Sequence, residues 1–348
     1  MSRAGLPPRK RSAALGIGKI PIRVLSSTFL RMTGAGSDLV KTPPRAGLDF
    51  AAIKLKRGFM IVSADPITGI SEDIGYLAVK VSANDVATSG NRPQFAESVV
   101  LLPEGSTEAE AVMIAHQMHE AARESGIAIV GGHTEVTPGL HHPIVAVTVF
   151  SFVRRYVTSG GARDGDVIMM TKTAGLEGTA ELLREPGVFS RPLAPATIAK
   201  ASRMVKDVDI SREAVGAFRT GRVHAMHDCT EGGVLGAVVE MSVASGVGFR
   251  LLEDAVPVDP VTSRVCRKLS LDPLKLIGSG SLLLAVAQGS EETVRRALRP
   301  TKVTKIGEFR KGPRTLVTMA GTELAVREPP EDELWRIVRR PSRPGKGL

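Results

Sequence analysis

The feature that most constrains the fold is an alternation. Between residues 46 and 152, short apolar runs of strand type trade places with stretches of helical period, separated by Gly or turn clusters. Ala51–Leu55 and Phe59–Ser63 read as a hairpin pair, because β-branched and apolar residues flank the turn residues Lys56–Gly58. Ile74–Ala87 is predicted helical, with small residues at close spacing, and Phe95–Leu102 is a predicted strand. Glu108–Ser125 is a predicted helix: Ala111, Ile114, Ala115, Met118, Ala121 and Ala122 recur at three-and-four spacing, and Gly126 closes it as a C-cap. Ile127–Val130 and Ile144–Phe152 follow as strands. Such a rhythm packs helices against a sheet.

The alternation resumes from about residue 160. Asp166–Thr171 and Leu282–Val286 are apolar strands, and Gly175 and Gly178 with Thr179 begin a loop-to-helix turn. Ala194–Lys206, Ile210–Phe218, Gly233–Ser245 and Ser290–Leu298 are predicted helices, while Gly246–Leu252, Val303–Phe309 and Thr315–Met319 are predicted strands. A length of 348 residues suits two domains. The fold class is therefore α+β. The divisions fall into a basic N-terminal segment (1–45), an N-terminal domain (46–155), a C-terminal domain (160–325) and a basic tail (326–348).

Charge narrows the function classes. Lys and Arg total 46 against 36 Asp and Glu, a formal +10. Residues 1–12 carry four basic side chains and 336–348 carry five, with no acid in either, so the body is nearly neutral. Such ends offer salt-dependent, nonspecific attraction to polyanions. Aromatic residues, at 4%, leave little material for a base-stacking surface, so nucleic-acid recognition is not expected. No run approaches the roughly 18–20 apolar residues of a membrane span, and the first residues lack the apolar core of a secretory signal. Cys229 and Cys266 make neither a disulfide framework nor a zinc cluster, and a cytoplasmic setting is the expectation.

Four polar, small-residue clusters interrupt the apolar strands: 47–53 (GLDFAAI), 63–69 (SADPITG), 83–90 (ANDVATSG) and 130–135 (VGGHTE). Each sets a carboxylate, amide or imidazole beside Gly, where backbone approaches a ligand closely. Hard oxygen ligands collected this way suit Mg²⁺ with substrate phosphates, and nearby glycines free backbone N–H groups for phosphate oxygens.

In order and spacing these clusters resemble the superfamily of aminoimidazole ribonucleotide (AIR) synthetase, thiamine-monophosphate kinase, selenophosphate synthetase and the hydrogenase-maturation carbamoyl dehydratase. Nearest are the AIR synthase-related proteins of the archaeal, hydrogenase-maturation-like branch. The resemblance spans about residues 15–320 and rests on SADPITG (63–69), GYLAVKVSANDVATSGNRP (75–93), VGGHTEVTPG (130–139), MHDCTEGGVLGAVVEM (226–241) and LIGSGSLLLAV (276–286). It implies an N-terminal mixed sheet that forms a dimer interface with a second copy, and a C-terminal α/β domain covering the nucleotide. ATP and Mg²⁺ are the implied cofactors. By motif position Asp49, Asp65 and Asp85 match metal–phosphate carboxylates, with Asn84 beside them. Gly131, Gly132 and Thr134 match a loop near the phosphates, and Asp228 with Gly232 and Gly233 matches a segment facing the substrate cleft. The implied activity is ATP- and Mg²⁺-dependent activation of an oxygen on a small substrate, with Asp85 and Asp228 in catalytic positions. Alternatives are a ring closure like that of phosphoribosylformylglycinamidine cyclo-ligase, and a non-catalytic, nucleotide-binding maturation partner. A homodimer and a maturation protein are the implied partners.

Several positions depart from the pattern. Leu48 stands beside Asp49 where two adjacent acids are usual, and His133 follows the paired glycines where Asp is common, with Glu135 two residues on. Cys229 and Glu231 replace a proline and an arginine, and the cysteine at the extreme C-terminus of the hydrogenase branch is not present in Arg343–Leu348. Cys229 reads as a small packing residue. Gly278-Ser279-Gly280 reads equally as a tight turn or as a backbone cradle, and His116 and His119 read as a solvated helix face.

Overall fold

Two sheets carry the chain, and one fully buried helix lies where they meet. The computed structural model describes residues 18–68, 72–185, 187–189 and 194–338. Most of the basic residues expected to form charged tails lie outside the described residues.

The first sheet comprises β1 (Val40–Thr42), β2 (Ala51–Lys54), β3 (Phe59–Ile67), β4 (Phe95–Leu102), β5 (Ala128–Val136) and β6 (Ile144–Val153), in the order β1-β2-β3-β6-β4-β5. Its neighbours are antiparallel except β4 and β5. Those two run parallel because a helix, Glu108–Ser125, makes the return crossing between them. That helix begins in a capping box between Thr107 and Glu110 and ends at Gly126, whose φ of 68° suits glycine. Its apolar face (Ile114, Met118, Ala121 and Ala122) is buried. Against it lies the helix Ile74–Ala87, all 14 of whose residues are buried. Gly75 permits the approach, since a Cβ there would come within 2.5 Å of the Ile114 carbonyl oxygen.

The second sheet comprises β7 (Val167–Thr171), β8 (Val223–Asp228), β9 (Gly248–Leu252), β10 (Leu282–Val286), β11 (Val303–Arg310), β12 (Arg314–Val317) and β13 (Glu323–Ala325), in the order β13-β12-β9-β11-β7-β10-β8. β7 and β10 are continuous apolar runs because both faces of the sheet are covered. Ile168, Met170, Leu283 and Ala285 face a core with helix Gly233–Ser245, whereas Val167, Met169, Leu282, Leu284 and Val286 face one with Ala214 and Val294. The architecture is α+β in two domains, as the alternation implies. Among the elements of the second domain that escape the sequence reading are β8, β13 and the helices Leu176–Arg184 and Pro260–Leu269. Among the described residues no helix is long and apolar enough to cross a membrane.

The buried helix also joins the domains. Lys80, itself buried, donates to Asp209 Oδ2 at 2.9 Å and to Ser125 Oγ at 2.8 Å, so the second domain's 209 loop is paired with a cation of the first.

Candidate functional site

Four separate pieces of chain deliver one carboxylate each. Asp49 precedes β2, Asp65 lies in β3, Asp85 sits in the last turn of Ile74–Ala87, and Asp228 ends β8. Because that helix packs on β3 and touches β8, the four converge. Ser63 Oγ donates to Asp85 Oδ2 at 2.7 Å, and Ser82 Oγ donates to the Asp65 carbonyl at 3.4 Å. Burial holds the Asp85 carboxyl well above the ordinary carboxylate range, and the carboxylates of Asp65, Asp228 and Asp49 push it the same way.

His227, a residue that motif matching passes over, organises the other side of the cluster. Its Nδ1 lies 2.9 Å from Asp49 Oδ1 and 3.7 Å from Asp228 Oδ1, and its Nε2 lies 3.1 Å from Glu240 Oε2. Burial opposes protonation of the ring, but Asp49, Asp228 and Glu240 together raise its pKa well above the usual histidine range. Burial likewise opposes ionisation of Glu240, yet Lys19 and His227 bring it down to about 2. Lys19 Nζ is 3.2 Å from Glu240. The signal in the sequence is a His-Asp pair shortly before the Gly232-Gly233 turn.

The other residues singled out in the sequence are placed differently. Asn84, next to Asp85, spends both ends of its amide elsewhere: Nδ2 donates to the Val208 carbonyl at 2.8 Å, and Oδ1 accepts from the Ile210 N–H at 3.1 Å. Gly131, Gly132 and Thr134 belong to β5, an exposed edge strand rather than a loop. Asp65 pairs across the sheet with Val147, Val147 with Ser98, and Ser98 with Gly132. At ~4.8 Å per strand, Gly132 therefore stands roughly 14 Å from Asp65 in the same chain. His133 and Glu135 are exposed on β5 too, 3.1 Å apart and paired with each other. Leu48 is half-buried.

Gly232 and Gly233 turn β8 into the helix Gly233–Ser245 with φ of 85° and 62°. A Cβ on Gly233 would lie 2.6 Å from the Leu274 carbonyl, and the Gly232 N–H is taken by Asp332 Oδ2 at 2.7 Å. Below this turn, burial pushes Glu177 up to about 7 against the pull of Ser279, with Asp332 and Asp228 adding to the rise. Asp332 is pushed up to about 6 by burial, against backbone N–H groups that favour its ionised form. Cys229 is buried and burial pushes its thiol far up, which leaves it a packing residue.

The cluster suits a hard divalent cation. Asp49 Oδ2 and Asp228 Oδ2 are buried without a hydrogen-bond partner, and a carboxylate oxygen of Asp49 lies within 4.8 Å of one of Asp228. Residues 47–153 match the family model described as AIR synthase related protein, N-terminal domain, and residues 163–319 match its C-terminal domain. The chain belongs to the AIR synthase-related family. Within it, the carbamoyl dehydratase HypE of Escherichia coli K12 is 30% identical over 341 residues, covering 93% of this chain and 98% of that protein. The fold matches a crystal structure of the hydrogenase maturation protein HypE in complex with ATP at a TM-score of 0.70 and 24% identity, covering 92% of this chain and 98% of that one. It matches the crystal structure of a HypE–HypF complex at a TM-score of 0.74 and 24% identity, covering 88% and 99%.

Proposed function

We propose that this AIR synthase-related chain binds ATP and Mg²⁺ and activates an oxygen of a small substrate by phosphoryl transfer. The observation that carries the reading is the convergence of Asp49, Asp65, Asp85 and Asp228 around buried, unpartnered carboxylate oxygens. His227 is one imidazole beside four acids, so their crowding stays costly unless further positive charge joins them. Phosphoryl transfer asks a protein chiefly for positioning and charge neutralisation. Asp49, Asp65, Asp85 and Asp228 would hold the metal, and Mg²⁺ when bound supplies that neutralisation. The protein's own part is orientation: Ser63 fixes Asp85, His227 fixes Asp49, and the glycine turn after β8 aims Asp228.

The E. coli relative named carbamoyl dehydratase, and the fold shared with an ATP complex of HypE, support the ATP-dependent class. The burial of Cys229 and Cys266 argues against either serving as a carrier thiol. A second copy of the chain and a maturation-type protein are the partners this reading includes. The first is supported by the exposed edge strand, the second by the HypE–HypF complex.

Calorimetric titration with ATP, with and without Mg²⁺, tests the proposal. Wild-type protein should bind ATP in a Mg²⁺-dependent manner, and Asp85→Ala should lose that dependence. No binding under either condition would instead favour a non-catalytic partner that has kept the fold alone.

A further inference from the structure

The segment leading into the first described helix lies against the candidate site. Lys19 is tied at two points. Its backbone N–H donates to Glu231 Oε1 at 2.8 Å, and its Nζ reaches Glu240 Oε1 and Oε2 at 3.2 and 3.3 Å and Thr230 Oγ1 at 3.3 Å. Glu231 Oε1 also accepts from Trp335 Nε1 at 3.1 Å. Two stretches more than 300 residues apart in sequence, 18–20 and 332–338, are thus clipped to the same carboxylate. Asp332 adds a second clip through the Gly232 N–H. Gly18 has a φ of 96°, and a Cβ there would collide with Glu231 Oε1 and lie 2.7 Å from Trp335 Nε1, so the segment seats only because residue 18 has no side chain.

From this anchor a line of alternating charge runs inward: Lys19, Glu240, His227, Asp49. The inner three side chains are 11%, 5% and 3% exposed, whereas Lys19 is 48% exposed. Buried members of such a line have little freedom once the outer one is in place. Without Lys19, Glu240 would keep only His227 as a charged partner among the described contacts, and the ring could follow it away from Asp49.

We infer that Lys19 is a positioning residue, delivered by a strap that Glu231 and Trp335 clip over the Asp228 loop, and that it sets the orientation of Asp49 through Glu240 and His227. The inference rests on the phosphoryl-transfer reading for its catalytic consequence, but not for its structural one.

Trp335 is the only tryptophan in the chain, so its emission reports the clip directly. In the full-length protein, Gly18→Val should shift Trp335 emission to the red and increase its quenching by acrylamide, while the far-ultraviolet circular dichroism stays that of the wild type. Emission and quenching unchanged by Gly18→Val would overturn the strap. For the positioning role, the ring ¹⁵N resonances of His227 should move in Lys19→Met and return towards wild type in Lys19→Arg. Hydrolysis of Mg²⁺·ATP should fall ~10- to ~100-fold in kcat in Lys19→Met, with KM changed far less, as a misplaced group costs rate more than affinity. His227 resonances identical in wild type and Lys19→Met would overturn the positioning role. Should the wild type itself fail to bind or turn over ATP, the phosphoryl-transfer reading falls, and the fluorescence and His227 measurements still decide the strap.

Discussion

Glu177 shows how a single buried group couples the site to pH. Its pKa is pushed from 4.5 to about 7, first by burial and then by neighbouring carboxylates, and its Oε2 has no hydrogen-bond partner. Because the folded value lies above the unfolded one, the stability linked to this proton is complete below about pH 4.5 and is lost as pH rises through about 7. Glu177→Gln removes the penalty. Urea unfolding should find this variant more stable than wild type by up to ~3 kcal/mol at pH 8 and nearly equal to it at pH 4.5. A stability difference that is the same at both pH values would assign the effect to packing instead. At this scale the acids of the candidate site were legible, since carboxylates beside glycine at strand and helix ends stand out in sequence. Neither the elevation of Glu177 nor the clamp of His227 between Asp49 and Glu240 was, because each depends on neighbours from other parts of the chain.

The helix Ile74–Ala87 sets two adjacent residues to opposite tasks. Asn84 faces the second domain, satisfying the Val208 carbonyl and the Ile210 N–H, while Asp85 faces β3 and the other carboxylates. Asn84→Ala leaves two buried backbone groups unpaired and should cost ~2–4 kcal/mol in urea unfolding. Asp85→Asn, which relieves repulsion within a crowded acid cluster, should cost nothing in the metal-free protein or stabilise it. A large loss for Asp85→Asn would mean that the Ser63 contact outweighs the repulsion. The bounds of this helix and of Glu108–Ser125 follow from spacing and caps, which are local. β5 does not: Gly131 and Gly132 read as a loop, yet pairing with β4 carries the strand through them. A Cβ at Gly132 would collide with the Ser98 carbonyl, so the glycine that suggested a loop is what lets β4 approach.

For the whole molecule, the edge of the first sheet is the conspicuous unfinished surface. Ile129, Val130 and Val136 on β5, Val99 on β4 and Phe152 on β6 are all exposed, beside a strand whose outer backbone groups have no neighbouring strand among the described residues. If a second copy covers this face, light scattering after gel filtration should give twice the chain mass of 36.9 kDa for the wild type, and Val130→Glu with Phe152→Glu should reduce it to the monomer. A wild-type monomer would remove the second copy from the functional reading. By itself the sequence determined the α+β class and most element bounds, and it singled out Asp49, Asp65, Asp85 and Asp228 as candidates, because periodicity, caps and polar clusters are properties of neighbouring residues. Only the tertiary structure decided that Asn84 joins the domains, that Gly131–Thr134 stand about three strands from Asp65, and that His227, Glu240 and Lys19 line up behind Asp49. Those facts come from sheet order and from contacts across as many as 221 residues of chain, where no local pattern of residues carries the information.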